Sequence, residues 1–132
     1  MNHAFSKTEQ GAILITAVDN SKSQDYSRLD TNGGKNTQDK IFLLSYAEAN
    51  KYLGVTHYSL DGNMKSQTDP TAYAVHAGAW GLGGLWWLRS PGEFQHDAAF
   101  VQNNGNLGRD RVDHTVQCVR PALWFKLESD IF

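Results

Sequence analysis

The chain has 132 residues, 40% of them apolar and 20% charged, and a formal net charge of −2. A single domain of this length buries roughly two-thirds of its unfolded surface, which suffices for a self-standing core. The charge balance holds no basic block, so nucleic acid is not an expected partner; no apolar run approaches the ~20 residues of a membrane span; and the lone Cys118 excludes an internal disulfide.

The first residues, Met1-Asn2-His3-Ala4-Phe5, carry neither the basic nor the apolar segment of a secretory signal. Ser6-Lys7-Thr8-Glu9 spells a capping box, in which the Ser6 hydroxyl accepts from the Glu9 amide and the Glu9 carboxylate accepts from the Ser6 amide. A short helix is predicted over 7–15, with Ala12, Ile13 and Leu14 turned inward. Residues 19–39 read as a long loop rich in Asp, Asn, Ser and Gly. Asp19, Asn20, Asp30, Asn32, Asn36 and Asp39 offer the hard oxygens that calcium takes. The spacing departs from a calcium loop, because with Asp30 in first place the twelfth position is Ile41 rather than Glu. Asx-turns around Asn32-Gly33-Gly34 account for the same composition and are the favoured reading. No cofactor is expected.

Lys40-Ile41-Phe42-Leu43-Leu44 reads as a buried strand running into a second capping box, Ser45-Tyr46-Ala47-Glu48. Leu44 and Ala49 are placed for a hydrophobic staple. The helix is predicted over 46–53, burying Ala49, Tyr52 and Leu53, with Gly54 as its left-handed cap. Residues 55–68 are polar and predicted as loop. Asp69-Pro70 then resembles an N-cap followed by proline at the first helical position. A short helix through Tyr73, Ala74 and His76 would end at Gly78, with His76 solvated or satisfied in the core rather than a ligand.

A glycine-rich bent passage with Trp80 leads into Gly84-Leu85-Trp86-Trp87-Leu88-Arg89-Ser90-Pro91-Gly92, an apolar strand. A second strand is predicted over 98–102. Asn103-Asn104-Gly105-Asn106 signals a hairpin with a two-residue Asn-Gly turn, returning over 107–112. The last strand is predicted over 116–127, with Pro121 demanding an edge position or a bulge. The tryptophan-bearing runs 84–92 and 118–125 read as a rigid floor, and the polar stretch between them as the part shown to a partner.

Catalytic patterns are sparse. Gly81, Gly83 and Gly84 lack the spacing of a phosphate loop, and no Cys-x-x-Cys or His-x-x-x-His pair offers a metal site. Cys118 with His114 or His96 would make a nucleophile and base, but a cysteine opening an apolar strand more often packs as a small core residue. Asp110 and Asp113 among Arg109, Arg111 and His114 suggest either an acid/base pair or a self-paired surface loop, and the loop is favoured. No enzyme is expected. Binding is the better reading of Glu93-Phe94-Gln95-His96-Asp97 and Arg109-Asp110-Arg111-Val112-Asp113-His114-Thr115. Recognition residues gather on loops held by rigid elements, and arginine and aromatic side chains dominate binding hot spots.

Four further motifs in fixed order carry a resemblance: Lys40-Ile41-Phe42-Leu43-Leu44-Ser45-Tyr46-Ala47-Glu48-Ala49, Ala72-Tyr73-Ala74-Val75, Trp86-Trp87-Leu88-Arg89-Ser90-Pro91-Gly92 and Val119-Arg120-Pro121-Ala122-Leu123-Trp124. They resemble an uncharacterised domain family of gut bacteria and their mobile elements. That family is similar to the formylglycine-generating-enzyme branch of the C-type lectin fold and to the variable proteins of diversity-generating retroelements. The resemblance implies an α+β, C-type-lectin-like domain with short helices packed on a small antiparallel sheet. It implies a variable, ligand-displaying region within 86–125 that faces a protein or cell-surface ligand, with a glycan as the alternative. Its displayed positions would be Glu93, Phe94, Gln95, His96, Asp97, Gln102, Asn104, Asn106, Leu107, Arg109, Asp110, Arg111, Asp113 and His114. Trp86, Trp87, Arg89, Val119, Arg120 and Leu123 would be scaffold. The family's earlier strands and helix are missing before Ala4-Phe5-Ser6, so a fragment, or a short member that completes its sheet with a second copy, is expected. Cys118 stands where the family usually has glycine, the lectin calcium motifs are absent, and a lone cysteine cannot supply the enzyme branch's catalytic pair.

Overall fold

The computed structural model describes residues 4–22, 31–81 and 83–126. Within them the chain is α+β, with short helices and two small antiparallel sheets. Helix α1 (Lys7–Ala12) starts on the predicted Ser6 capping box. It stops three residues early, because Ile13 turns extended and bridges Phe125. The β-branched Ile13, Ile15 and Thr16 favour extended backbone over a continued helix. Strand β1 (Thr16–Val18) pairs with β2 (Thr37–Asp39), so the end of the predicted loop is half of a two-stranded ribbon.

The predicted strand at 40–44 is not one. Phe42 makes an isolated bridge to Ala122, and Ile41 is exposed. Helix α2 (Tyr46–Leu53) runs as predicted, from the Ser45 capping box to Gly54 with φ 69°. Ala49 is buried by it, but Tyr52 is exposed, its ring set at 72° to Trp124 and lying under the Lys51 ammonium. Helix α3 (Ala72–His76) is capped by Thr71, whose hydroxyl accepts from the Ala74 amide, and not by Asp69.

The main sheet is a meander of β3 (Trp86–Pro91), β4 (Asp97–Val101) and β5 (Leu107–Arg111). Alternation aims Trp86 and Leu88 of β3, Ala99 and Val101 of β4 and Leu107 of β5 at one face. These residues, with Ala49 and Val55, form the core. Trp87 and Phe100 pair edge to face on the opposite side, ring centroids 5.9 Å apart. A bulge between Trp87 and Pro91 turns the Arg89 amide away from β4 to donate to the Leu44 carbonyl at 3.0 Å. The β4–β5 turn has three residues rather than two, with Gly105 at φ 82° closing it.

The predicted last strand is instead a strap that changes partner along its length. Cys118 bridges Trp86 in parallel, Ala122 bridges Phe42, and Phe125 bridges Ile13. Exposed Pro121 sits at the switch between the first two partners, where its missing N–H leaves no ladder bond unmade. Leu127, the predicted end of this strand, lies outside the described residues.

Candidate functional site

The meander separates the predicted display residues into two groups at opposite ends of β4, a span of about 14 Å. At one end the 92–96 turn lies beside the segment that follows β5, joined by the Val112 amide donating to the His96 carbonyl at 3.0 Å. Glu93, Phe94, Gln95, His96, Arg111, Asp113 and His114 are all exposed here. The Phe94 and His96 rings stack, 5.7 Å between centroids and 8° between planes. Phe94 remains 57% exposed, a large apolar surface left to water at the tip of a fixed turn.

That turn is held by backbone and by Asp97. The Asp97 amide donates to the Phe94 carbonyl at 2.9 Å, and its carboxylate accepts from the Phe94 amide at 3.3 Å. The Asp97 side chain is mostly buried, with its other oxygen 3.4 Å from His96 Nε2. Asp97 is therefore a brace for the loop. Two contacts that the sequence did not mark add support: Thr31 donates its hydroxyl to the Glu93 carbonyl at 2.8 Å, and Gln95 donates to the Asn32 carbonyl at 3.2 Å. No local signal announces contacts across some sixty residues of chain.

The adjoining segment carries one ion pair and one imidazole–carboxylate hydrogen bond. Arg111 grips Asp113 with both arms of its fork, at 3.0 and 2.7 Å. That geometry lowers the Asp113 pKa and raises the Arg111 pKa, each chiefly through the hydrogen bond to the other. Asp110 accepts from His114 Nδ1 at 2.7 Å, from Gln117 at 2.8 Å and from the Arg111 amide at 2.8 Å. The His114 bond first, then the amide and Gln117, hold the Asp110 carboxyl below the usual aspartate range against a smaller opposing effect of burial. Gln117, buried and unmarked by any sequence pattern, thus orders the face from behind. Arg109 and Arg111 share the sheet face of Leu107, and Asp110 lies on the other. Arg109 is half-buried at mid-strand, opposite Ala99.

The second group does not belong to this face. Asn106 and Leu107 are 4% and 5% exposed, and Leu107 is a core residue. Gln102 donates its side-chain amide to the Leu107 carbonyl at 3.0 Å, and the Asn104 carbonyl accepts from the Asn63 amide at 2.7 Å. Asn106 donates its side-chain amide to the Ser59 carbonyl at 3.3 Å. This end of the hairpin is packed into the 55–68 loop: Asn106 and Leu107 are buried scaffold, Gln102 is half-buried, and Asn104 is exposed with its backbone carbonyl anchored. The Gln102 and Asn104 side chains bond backbone groups of their own hairpin, and the Asn106 side chain is consumed by a carbonyl of a distant loop. Val119, expected in the scaffold, is exposed.

Neither His114 nor His96 serves Cys118: one imidazole bonds Asp110 and the other stacks on Phe94. Burial pushes the Cys118 thiol pKa up, away from the thiolate a nucleophile needs. In the oxygen-rich segment, Asp19 and Asn32 each accept from the amide two residues on, at 2.9 Å, as Asx-turns do. Asp30 lies outside the described residues. Among those described, no three His, Cys, Asp or Glu side chains gather to hold a metal, and no helix is long and apolar enough to cross a membrane.

A family model described as a domain of unknown function (DUF6273) matches residues 1–127. No curated protein and no solved structure matches the chain.

Proposed function

The chain belongs to the DUF6273 family, and we propose that it is a non-enzymatic ligand-binding module with a C-type-lectin-like frame. Its binding face is the sheet end built from Glu93, Phe94, Gln95, His96, Asp110, Arg111, Asp113 and His114. The partner is a protein or another cell-surface ligand. One observation carries this reading: the exposed Phe94–His96 stack stands on a turn whose own backbone bonds and Asp97 hold it, beside a bidentate Arg111–Asp113 pair. A flat aromatic surface, a cationic fork and an imidazole, pre-ordered together, are the ingredients of a hot spot. Exposed side chains of this kind change at little cost to the frame, which is what a diversified face of the retroelement type requires.

Protein and glycan arrays probed with the natural chain and with a Phe94→Ala, Arg111→Ala double variant test the proposal. A ligand held by the natural chain and lost by an equally folded double variant supports it. A ligand held equally by both, or none held by either, contradicts it. A glycan reading has its own support in Trp80, which is 51% exposed while its amide is anchored to the Val116 carbonyl at 3.2 Å. Sugar binding lost in Trp80→Ala and kept in the double variant selects that reading.

A further inference from the structure

The chain has two Asn-Gly pairs, Asn32-Gly33 and Asn104-Gly105. Asparagine side chains are thermolabile. The next backbone nitrogen gives up its proton and attacks the side-chain Cγ, ammonia leaves, and a cyclic succinimide forms. Water opens that ring at either carbonyl, to aspartate or to isoaspartate. Glycine in the second place lets the nitrogen reach, because it brings no Cβ and the freest backbone. Both asparagines are exposed, and both Oδ1 atoms accept from the amide two residues on, Gly34 at 2.9 Å and Asn106 at 3.0 Å. Those bonds polarise the two side-chain carbonyls alike. The nucleophiles differ. The Gly105 amide donates to the Gln102 carbonyl at 2.8 Å, and the Asn63 carbonyl and Ser66 hydroxyl crowd its α-carbon. The Gly33 amide has no hydrogen-bond partner among the described residues.

A side chain in place of Gly33 would strike the Asn20 carbonyl, so the fold keeps glycine after Asn32 and with it the reactive pair. Isoaspartate routes the main chain through the former side-chain carbon and lengthens it by one bond. The surroundings of Asn32 depend on its main chain staying in place. Its carbonyl accepts from the Gln95 side chain at 3.2 Å, and the neighbouring Thr31 hydroxyl donates to the Glu93 carbonyl at 2.8 Å. We propose that Asn32 is a site of spontaneous deamidation, that the fold protects Asn104 from the same reaction, and that isoaspartate at 32 releases the 93–97 turn. The chemistry is independent of the binding role given to that turn; only its consequence for a ligand rests on that role.

The full chain, aged in warm, mildly alkaline buffer and digested with trypsin, reports each site on its own peptide, 29–35 and 90–109. Fragmentation of the second peptide separates Asn104 from Asn103 and Asn106. Conversion in the folded chain should be faster at Asn32 than at Asn104 by about tenfold or more, since breaking the Gly105 bond and reshaping its turn add to the barrier. In urea the two rates should converge. Equal rates in the folded chain, a folded chain that reacts first at Asn104 or at neither site, or a preference that persists in urea overturns the assignment. The isoaspartyl form is isolated by its added negative charge and identified by isoaspartyl methyltransferase labelling. Its Asp97 amide, which bonds the Phe94 carbonyl, should exchange hydrogen about tenfold faster than in the natural chain. Asn32→Asp, with a main chain of normal length, should match the natural chain. Unchanged exchange in the isoaspartyl form, or an equal rise in Asn32→Asp, overturns the release of the turn. Neither measurement uses a ligand, so failure of the binding proposal leaves both outcomes legible.

Discussion

Arg89 and Glu48 join the bulge of β3 to the first turn of α2. The Arg89 Nη1 donates to Glu48 Oε2, and the same oxygen accepts from the Ser45 amide at 2.8 Å. Arg89 also donates to the Leu43 carbonyl at 2.7 Å and, from Nε, to the Asp19 carbonyl at 3.1 Å. One guanidinium therefore fixes a helix start, the segment before it and the end of β1 onto the main sheet.

Burial pushes the Glu48 carboxyl up, but the bonds from Arg89 and Ser45 together outweigh it and its pKa falls below the ordinary glutamate value. A depressed carboxylate contributes stability that is present above the unfolded-state pKa, near 4.3, and lost as pH falls through the lower folded value. Urea melts of the natural chain should thus weaken on acidification below about pH 4.3. Glu48→Gln should lower stability by about 2 kcal/mol at neutral pH and flatten that acid limb. An unchanged acid limb in Glu48→Gln contradicts the assignment.

Gly105 closes the β4–β5 turn at φ 82°, where a side chain is strained. A Cβ there would also collide with the Asn63 carbonyl oxygen and meet the Ser66 hydroxyl. Gly105→Ala should cost about 3 kcal/mol in urea denaturation, well above the ~1 kcal/mol of a typical substitution. A loss no greater than the typical one would show that the turn does not bear on the 55–68 loop.

The Asp110–His114 bond is checked by carbon-detected NMR. The Asp110 carboxyl should titrate below the usual aspartate range in the natural chain and move upward in His114→Ala, because the His114 bond is the largest of the influences lowering it. As a depressed carboxylate, Asp110 supports the native state above about pH 3.9 and loses that support as pH falls through its folded value. A titration that ignores His114→Ala contradicts the pairing.

The locally encoded parts of this fold are legible in the sequence. Ser6-x-x-Glu9, Ser45-x-x-Glu48 with Gly54, and the Asn104-Gly105 turn each carry their own donors, acceptors or backbone freedom within a few residues. Local errors are small shifts, such as the Thr71 cap in place of Asp69; the larger errors are non-local. Phe42 and the 118–125 run are apolar like strands, yet each meets its neighbours through single bridges, because the strap serves three partners in turn. Periodicity reports burial but not the partner that causes it. The candidate face was half legible for the same reason. Phe94, His96, Arg111 and His114 are exposed as their composition suggests, whereas Asn106 looks equally polar and is buried, its side-chain amide bonded to Ser59.

The frame itself should be intolerant. Trp86, 1% exposed, packs in the core and donates its indole N–H to the buried Ser66 carbonyl at 3.1 Å. Trp86→Ala should cost about 3–5 kcal/mol, read as a lower urea midpoint or failure to fold. A loss below about 1 kcal/mol would remove Trp86 from the frame.

The most direct measurement is thermal unfolding of one variant in which Phe94, His96, Arg111 and His114 are all replaced by alanine. If the displayed end is energetically separate from the tryptophan-bearing frame, the midpoint shifts by no more than about 5 °C and the transition stays cooperative. A fall of more than about 15 °C, or a chain that no longer folds, would mean that these side chains hold the domain together and are not its binding face.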